Sequence, residues 1–162
     1  GSFKIVSLIE IYTDGSSRGN PGPGGYGIVL SYNGNEKEIS EGFRKTTNNR
    51  MELLAVIVAL ESLKTTKIPV KIYSDSKYVI DAITKGWLKT WIQKNFKGKK
   101  NKDLWLRYYK ISKQYQVTFE WVKGHAGNIK NERCDVLAVE ASKNSNLSID
   151  QNYESREEKG LF

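Results

Sequence analysis

The chain is poor in cysteine, histidine and proline. It has one cysteine, one histidine and three prolines among 162 residues. A single cysteine cannot form an internal disulfide and no signal-peptide pattern is present, so a cytoplasmic location is expected. No apolar run approaches the roughly 20 residues that cross a bilayer, and no membrane partner is expected. The opening Gly1-Ser2 resembles the remnant of a cleaved expression tag and is left out of the fold prediction.

Acidic residues are absent from residues 82–102, which we call the basic segment. Seven lysines lie there, against a net charge of +8 for the whole chain, at positions 85, 89, 94, 97, 99, 100 and 102. The positive charge is therefore local, as in proteins that bind a polyanion. Trp87, Trp91 and Phe96 are interleaved with the lysines at near-helical spacing, and such spacing indicates packing more often than base stacking.

Alternating apolar and polar residues predict five strands in one domain. The first three cover residues 4–13, 26–32 and 36–43, with a glycine-rich turn after the first strand. Asn33-Gly34 joins the second and third strands and suits a type I′ hairpin turn. The fourth strand, residues 70–75, follows a buried helix at 51–63, so it is expected to lie parallel to the first. The fifth covers residues 117–122.

Helices fill the rest of the predicted pattern. Threonines and asparagines at 46–49 are expected to cap the first helix. Further helices are predicted at 76–83, at 104–115, and after Asn131, which is expected to cap a helix carrying Asp135 in its first turn. The fold class is therefore α/β: a five-stranded mixed sheet, three strands antiparallel plus two parallel, flanked by helices. The predicted domain covers residues 3–143, and a polar, flexible tail covers 144–162.

Four acidic residues lie at the edges of different elements. Asp14 and Asp75 are predicted at strand ends, and Glu52 and Asp135 in first helical turns. Each has an ordinary explanation as a turn former, a helix cap or a partner of the helix dipole. In mixed sheets, however, functional groups collect beyond the carboxyl ends of parallel strands. Four converging carboxylates would repel, and a hard cation such as Mg²⁺ or Mn²⁺ would remove that repulsion.

Five motifs in order give the chain a close resemblance to type 1 ribonuclease H, the bacterial kind with a basic protrusion. They are Tyr12-Thr13-Asp14-Gly15-Ser16 with the glycine-rich run 19–27, Thr46-Thr47-Asn48-Asn49-Arg50-Met51-Glu52-Leu53, Ser74-Asp75-Ser76, the run 121–127, and Asn131-Glu132-Arg133-Cys134-Asp135. The resemblance runs from about Ile9 to Ala141 and implies the ribonuclease H-like fold.

The resemblance also implies an activity. Members of the family are endonucleases that hydrolyse the RNA strand of RNA–DNA hybrids and leave 5′-phosphate and 3′-hydroxyl ends. By their matching positions, Asp14, Glu52, Asp75 and Asp135 would hold two Mg²⁺ ions, for which Mn²⁺ can substitute. Glu52 would also lie near the ribose 2′-hydroxyl, and His125 would assist proton transfer or product departure.

Matching positions further imply contacts to the hybrid. Ser17, Asn20, Asn48 and Asn49 correspond to minor-groove contacts, and Thr47 would seat a DNA phosphate with Asn48. Trp87 is the best candidate for contact with a DNA sugar, and Trp91 is a further candidate for contact with the nucleic acid. Lys77 stands where relatives often have an uncharged side chain near the substrate. Phosphate contacts are expected from Lys89, Lys94, Lys97, Lys99 and Lys100.

Two other interpretations stay open at this point. The chain could be a ribonuclease H domain excised from a reverse transcriptase, although the basic segment and the bacterial type of motif argue against this. It could also be a hybrid-binding module without activity, although all four acidic residues are present. The expected partner is an RNA–DNA hybrid, and the chain is expected to be a monomer.

Overall fold

Five strands form one mixed sheet in the computed structural model, which describes residues 7–65, 67–123 and 127–159. They are β1 (Ile9–Ser17), β2 (Gly22–Tyr32), β3 (Asn35–Thr46), β4 (Val70–Ser74) and β5 (Val117–Trp121), in the order β3-β2-β1-β4-β5. The pairs β1–β2 and β2–β3 are antiparallel, whereas β1–β4 and β4–β5 are parallel. The predicted fold class is confirmed.

Six helices are described around this sheet. They are α1 (Asn48–Glu61), α2 (Lys77–Thr84), α3 (Trp87–Gln93), α4 (Lys102–Ser112), α5 (Ile129–Ser142) and α6 (Gln151–Lys159). Helix α1 packs on β1 and β2 and is covered by α4, while α5 packs on β1, β2 and β3. Among the residues with described structure, no helix combines the length and the apolar character needed to cross a membrane.

The two faces of β1 and β2 bury different side chains, as alternation along a strand requires. Ile11 and Ile28 join the large core with α1, whereas Tyr12 and Val29 join a smaller cluster with Cys134 and Leu137 of α5. Cys134 is completely buried, and its thiol donates to the Tyr12 carbonyl. The cysteine is therefore a packing residue between α5 and the sheet.

Strand β1 does not end at Asp14, as the sequence pattern predicts, but continues to Ser17. Opposite it, part of the expected glycine turn is the beginning of β2. These glycines are required for helix packing rather than for turning. A Cβ atom on Gly25 would lie 2.5 Å from the Ala138 carbonyl oxygen, and one on Gly27 would clash with the Cys134 carbonyl. Because α5 approaches the sheet backbone this closely, glycine marks a strand here.

Two local predictions are confirmed by backbone geometry. Asn33 and Gly34 both have positive φ, at 51° and 81°, as a type I′ hairpin turn requires. Thr47, from the predicted capping cluster, caps α1, and its hydroxyl accepts a hydrogen bond of 3.2 Å from the Arg50 N–H.

Helix α5 begins earlier than predicted. Its cap is Asn128, whose side chain accepts from the N–H of Asn131 at 3.0 Å. The prediction that Asn131 caps this helix is therefore wrong, and Asp135 is its seventh residue rather than part of its first turn. Asparagine is common at helix caps, which is why Asn131 was predicted as one. Its side chain is instead buried within the helix.

The tail differs from the frayed segment expected beyond Asn144. Ser148 forms backbone hydrogen bonds with Gly42 and Arg44, and Asp150 is buried. Helix α6 follows, and Glu154 pairs with Arg44 at 2.8 Å. Polar pairs hold this segment, so it lacks the apolar periodicity by which a helix is recognised in a sequence. The predicted domain boundary between residues 143 and 144 stays a prediction.

Candidate active site

Three carboxylates from different elements meet at one edge of the sheet. Asp14 lies on β1, Glu52 on α1 and Asp75 between β4 and α2, and each offers an oxygen within 4.8 Å of the others. Asp135 of α5 lines the same cavity, which has a volume of about 380 Å³. The structure therefore brings together the four acidic residues selected from the sequence.

The ordinary explanations of these residues are not supported by the geometry. Glu52 is predicted in the first turn of α1, where a carboxylate complements the helix dipole. It is the fifth residue of α1 and therefore lies beyond that turn. Asp75 does not cap α2, because Ser76 does so and accepts from the Val79 N–H at 3.2 Å. Asp14 lies within a strand and does not initiate a turn.

Glu52 reaches Asp14 because Gly15 lets α1 approach β1. A Cβ atom on Gly15 would clash with the backbone of Met51 and Glu52. In its absence the Gly15 N–H donates to Asp14 Oδ1 at 2.9 Å and to Glu52 Oε1 at 2.6 Å. One backbone amide thus holds two carboxylates side by side. In the sequence, only the glycine itself marks the position of this amide.

The pKa values of both of these carboxyl groups are raised. The pKa of Asp14 is raised to about 7, mainly by burial and in part by the charges of Asp75 and Asp135. Hydrogen bonds from Glu52 and from the Gly15 N–H act in the opposite direction. Burial, followed by the hydrogen bond with Asp14 and its charge, raises the pKa of Glu52 well above its ordinary value.

The donor set fits a hard divalent cation. Glu52 is 4% exposed, and its Oε2 has no hydrogen-bond partner among the described residues. None of the ion pairs within residues 7–65, 67–123 and 127–159 involves the four carboxylates. A buried acceptor without a partner is costly, and a cation bound by these oxygens would remove that cost. These residues could therefore hold a metal.

We expect Asp14→Asn to stabilise the metal-free protein at pH 8 by about 1–3 kcal/mol. The pKa of the Asp14 carboxyl rises from 3.8 in the unfolded chain to about 7 in the folded protein. The free-energy cost of ionising this buried carboxyl is therefore absent below pH 3.8 and complete above about pH 7. Denaturant unfolding in EDTA at pH 4 and pH 8 measures the difference. Excess Mg²⁺ should stabilise the wild type more than the variant. Equal stabilities at pH 8 in EDTA would contradict the expectation.

The predicted minor-groove residues surround the carboxylates. Asn48 and Asn49, in the first turn of α1, line the 380 Å³ cavity, as do Ser16 and Lys77. Asn20 is tied to this edge because its Oδ1 accepts from the Asn48 N–H at 3.1 Å. Ser17 ends β1 next to Ser16, and Thr47 caps α1. The roles of these residues as nucleic-acid contacts stay predictions.

The basic segment forms a second concavity beside the first. Trp87, Trp91, Lys99 and Lys100 line a groove of about 380 Å³, whereas Lys89, Lys94 and Lys97 are exposed and line neither cavity. Phe96 is 5% exposed, and Trp91 packs edge-on against Trp105 with ring centroids 5.7 Å apart. Trp87 is 44% exposed and is the most exposed of the three aromatic side chains of the basic segment.

Tyr78 is a site residue that the sequence analysis missed. It lines both the acidic cavity and the groove. Its hydroxyl accepts from Asn101 Nδ2 at 3.0 Å and from Trp105 Nε1 at 2.8 Å, which joins the groove to the core. Its position three residues after Asp75, in the first turn of α2, was the available signal. His125 lies outside the described residues.

Comparison with known proteins agrees with the geometry. The family model "RNase H" matches residues 7–143. A ribonuclease H of Desulforamulus reducens is 56% identical over 147 residues, covering 88% of this chain and 92% of that protein. A ribonuclease H of Rippkaea orientalis is 54% identical over 153 residues, covering 91% of this chain and 93% of its own length.

Solved structures give the same result. LC9-RNase H1, described as a type 1 RNase H with the type 2 active-site motif, superposes with a TM-score of 0.76 at 34% identity, covering 87% of this chain and 74% of that one. LC11-RNase H1, solved in complex with an RNA/DNA hybrid, gives a TM-score of 0.64 at 31% identity, covering 82% and 95%. Matches of this identity and coverage establish that the chain belongs to the ribonuclease H family of enzymes.

Proposed function

We propose that this chain hydrolyses the RNA strand of RNA–DNA hybrids, with Asp14, Glu52, Asp75 and Asp135 holding two Mg²⁺ ions, and that it leaves 5′-phosphate and 3′-hydroxyl ends. The observation that carries the proposal is the meeting of three carboxylates within 4.8 Å around an unpartnered Glu52 oxygen. The solved LC11-RNase H1 complex with an RNA/DNA hybrid supports the choice of substrate.

Paired divalent cations supply Lewis acidity, which favours deprotonation of an attacking water and offsets charge on the departing oxygen. Asp14 and Glu52 are held together by the Gly15 N–H, so they offer a fixed pair of oxygens. Asp75 and Asp135 enter from other elements and complete the donor set. Mn²⁺ prefers similar oxygen ligands and is expected to substitute for Mg²⁺.

The side chains around the cavity fit a nucleic acid with 2′-hydroxyl groups. Asn48, Asn49 and Ser16 offer amide and hydroxyl groups next to the carboxylates, where a shallow minor groove displays 2′-hydroxyls. Glu52 is proposed to contact a ribose 2′-hydroxyl, which restricts cutting to RNA. His125 is proposed to assist proton transfer or product departure.

The basic segment is proposed to contact the DNA strand. Its groove combines Trp87 and Trp91 with two lysines, a pairing suited to a sugar and its flanking phosphates. The exposed lysines Lys89, Lys94 and Lys97 would extend the positive field along the duplex. A monomeric state and a cytoplasmic location complete the proposal.

Cleavage assays on four end-labelled substrates of one sequence test the function: an RNA–DNA hybrid, an RNA duplex, a DNA duplex and single-stranded RNA. We expect Mg²⁺-dependent internal cuts in the RNA of the hybrid alone, and no cutting in EDTA. Labelling of the product 5′ ends by a kinase only after phosphatase treatment would identify 5′-phosphates.

Binding of the hybrid without cleavage in Mg²⁺ or Mn²⁺ would refute the proposal and favour a non-catalytic binding module. Equal cutting of the RNA duplex would refute the assignment of the substrate. Cleavage that leaves 3′-phosphate ends would exclude a water nucleophile that displaces the 3′ oxygen.

A further inference from the structure

Lys77 is a cation at the edge of the acidic cavity. It lines the cavity together with Asp14, Glu52, Asp75 and Asp135 and is the sole lysine or arginine among its described lining residues. It is also the first residue of α2, where the helix dipole disfavours a positive charge. Local helix stability therefore does not account for a lysine at this position.

The Lys77 ammonium lies over an aromatic ring and not against the carboxylates. Its Nζ is 4.0 Å from the centroid of the Trp121 indole, and within the described part of the chain it has no carboxylate partner at ion-pair distance. Trp121 is 42% exposed, and its Nε1–H donates to the Asp75 carbonyl at 3.2 Å. The indole is thereby fixed to the backbone of a candidate metal ligand.

A free lysine beside unneutralised carboxylates would be expected to pair with them. Such a pair would place a positive charge where a divalent cation must bind and would compete with it. Stacking on an indole is worth enough to bias the ammonium elsewhere, since cation–π contacts with tryptophan are the strongest of their kind. The Trp121 stack thus keeps the cavity available and leaves a cation at its rim.

We propose that Trp121 holds the Lys77 ammonium at the rim of the cavity, where it binds a phosphate of the RNA strand instead of neutralising the metal-binding carboxylates. The inference rests on the proposed function, because the phosphate belongs to the hybrid bound for cleavage. It makes Lys77 a substrate-binding residue and Trp121 a positioning residue.

The phosphate contact is tested by the salt dependence of hybrid binding, measured by fluorescence anisotropy in EDTA so that no cleavage occurs. Lys77→Gln should weaken binding and lower the slope of log K against log salt by about 0.9. Lys113→Gln is the matched control, since Lys113 lies 4.0 Å over the Tyr109 ring and lines neither cavity. An unchanged slope for Lys77→Gln would overturn the phosphate contact.

The positioning role is tested by calorimetric titration with Mg²⁺ alone. Trp121→Leu frees the ammonium and should raise the Mg²⁺ dissociation constant about two- to fivefold. The same substitution in a Lys77→Gln background should leave it unchanged. Trp121→Phe keeps an aromatic face but loses the Nε1 donor, and it should bind Mg²⁺ like the wild type.

An equal loss of Mg²⁺ affinity with and without Lys77 would overturn the positioning role, and so would a Phe variant as weak as the Leu variant. Either result would assign the effect to the hydrogen bond with the Asp75 carbonyl. Circular dichroism and thermal unfolding verify that each variant folds. Failure of the wild type to cut the hybrid would refute the proposed function itself. The measurements of hybrid binding and Mg²⁺ affinity would still decide the roles of Lys77 and Trp121.

Discussion

Replacement of Asp75 by Asn is expected to lower the single-turnover rate of cleavage of an RNA–DNA hybrid by about 10³-fold or more. The substitution removes one negative oxygen ligand from the cluster of three and leaves the volume of the side chain almost unchanged. Several kcal/mol of transition-state stabilisation depend on such ligands, and each 1.4 kcal/mol corresponds to about tenfold in rate. Single-turnover cleavage of labelled hybrid at saturating enzyme measures the effect on the chemical step.

The matched control is Asp81→Asn on the neighbouring helix. Asp81 lies on α2 and pairs with Lys85 at 3.6 Å, and it lines none of the cavities described here. Its loss should change the single-turnover rate by less than about twofold, because this carboxylate lies outside the acidic cavity. Hybrid binding by Asp75→Asn should persist, because phosphate contacts do not depend on this carboxylate. Retained cleavage by Asp75→Asn would remove Asp75 from the site.

The sheet could be predicted from the sequence because its signals are local. Alternating apolar and polar residues predicted the strands, and Asn33-Gly34 predicted the hairpin turn. The helix between β1 and β4 implied that these two strands run parallel. The position of the acidic site was predicted from the expected strand ends and helix starts, together with the family motifs. The predicted element boundaries were less accurate, since Glu52 and Asp135 lie farther into their helices than expected.

Close backbone contacts could not be predicted in the same way. Gly15 and Gly27 look like turn residues until α1 and α5 are in place, and only then does the lack of a Cβ atom become a packing requirement. The tail is a similar case. Its helix is held by partners that lie about a hundred residues earlier in the chain, and no window of sequence contains both members of a pair.

Replacement of Arg50 by Met is expected to lower the free energy of unfolding by about 3–5 kcal/mol. The Arg50 side chain is 2% exposed and pairs with Asp103 at 2.8 Å and Asp150 at 2.7 Å. A further hydrogen bond of 2.8 Å joins Thr46 to Asp150. Methionine preserves much of the volume but removes the charge that both carboxylates share, and Asp103 keeps a longer pair of 3.7 Å with Arg156. Arg50 thereby joins α1, the start of α4 and the tail.

The control is Arg107→Met, because Arg107 forms an equivalent two-bond pair with Glu61 in an exposed setting. The side chains of that pair are 46% and 34% exposed, so its loss should cost less than about 1 kcal/mol. Urea unfolding at pH 7 compares the two variants with the wild type. Equal losses for Arg50 and Arg107 would contradict the assignment of Arg50 as a buried connection.

The cost of Arg50→Met should depend on pH in a defined direction. Burial alone would raise the pKa of Asp103, but hydrogen bonds and charge from Arg50 outweigh it and hold the pKa below 3.8. A lowered folded-state pKa contributes stability above the unfolded value and loses it as pH falls through the folded value. The difference between wild type and Arg50→Met should therefore be full at pH 7 and shrink below about pH 4. A constant difference across this range would indicate that lost packing, rather than lost charge pairing, destabilises the variant.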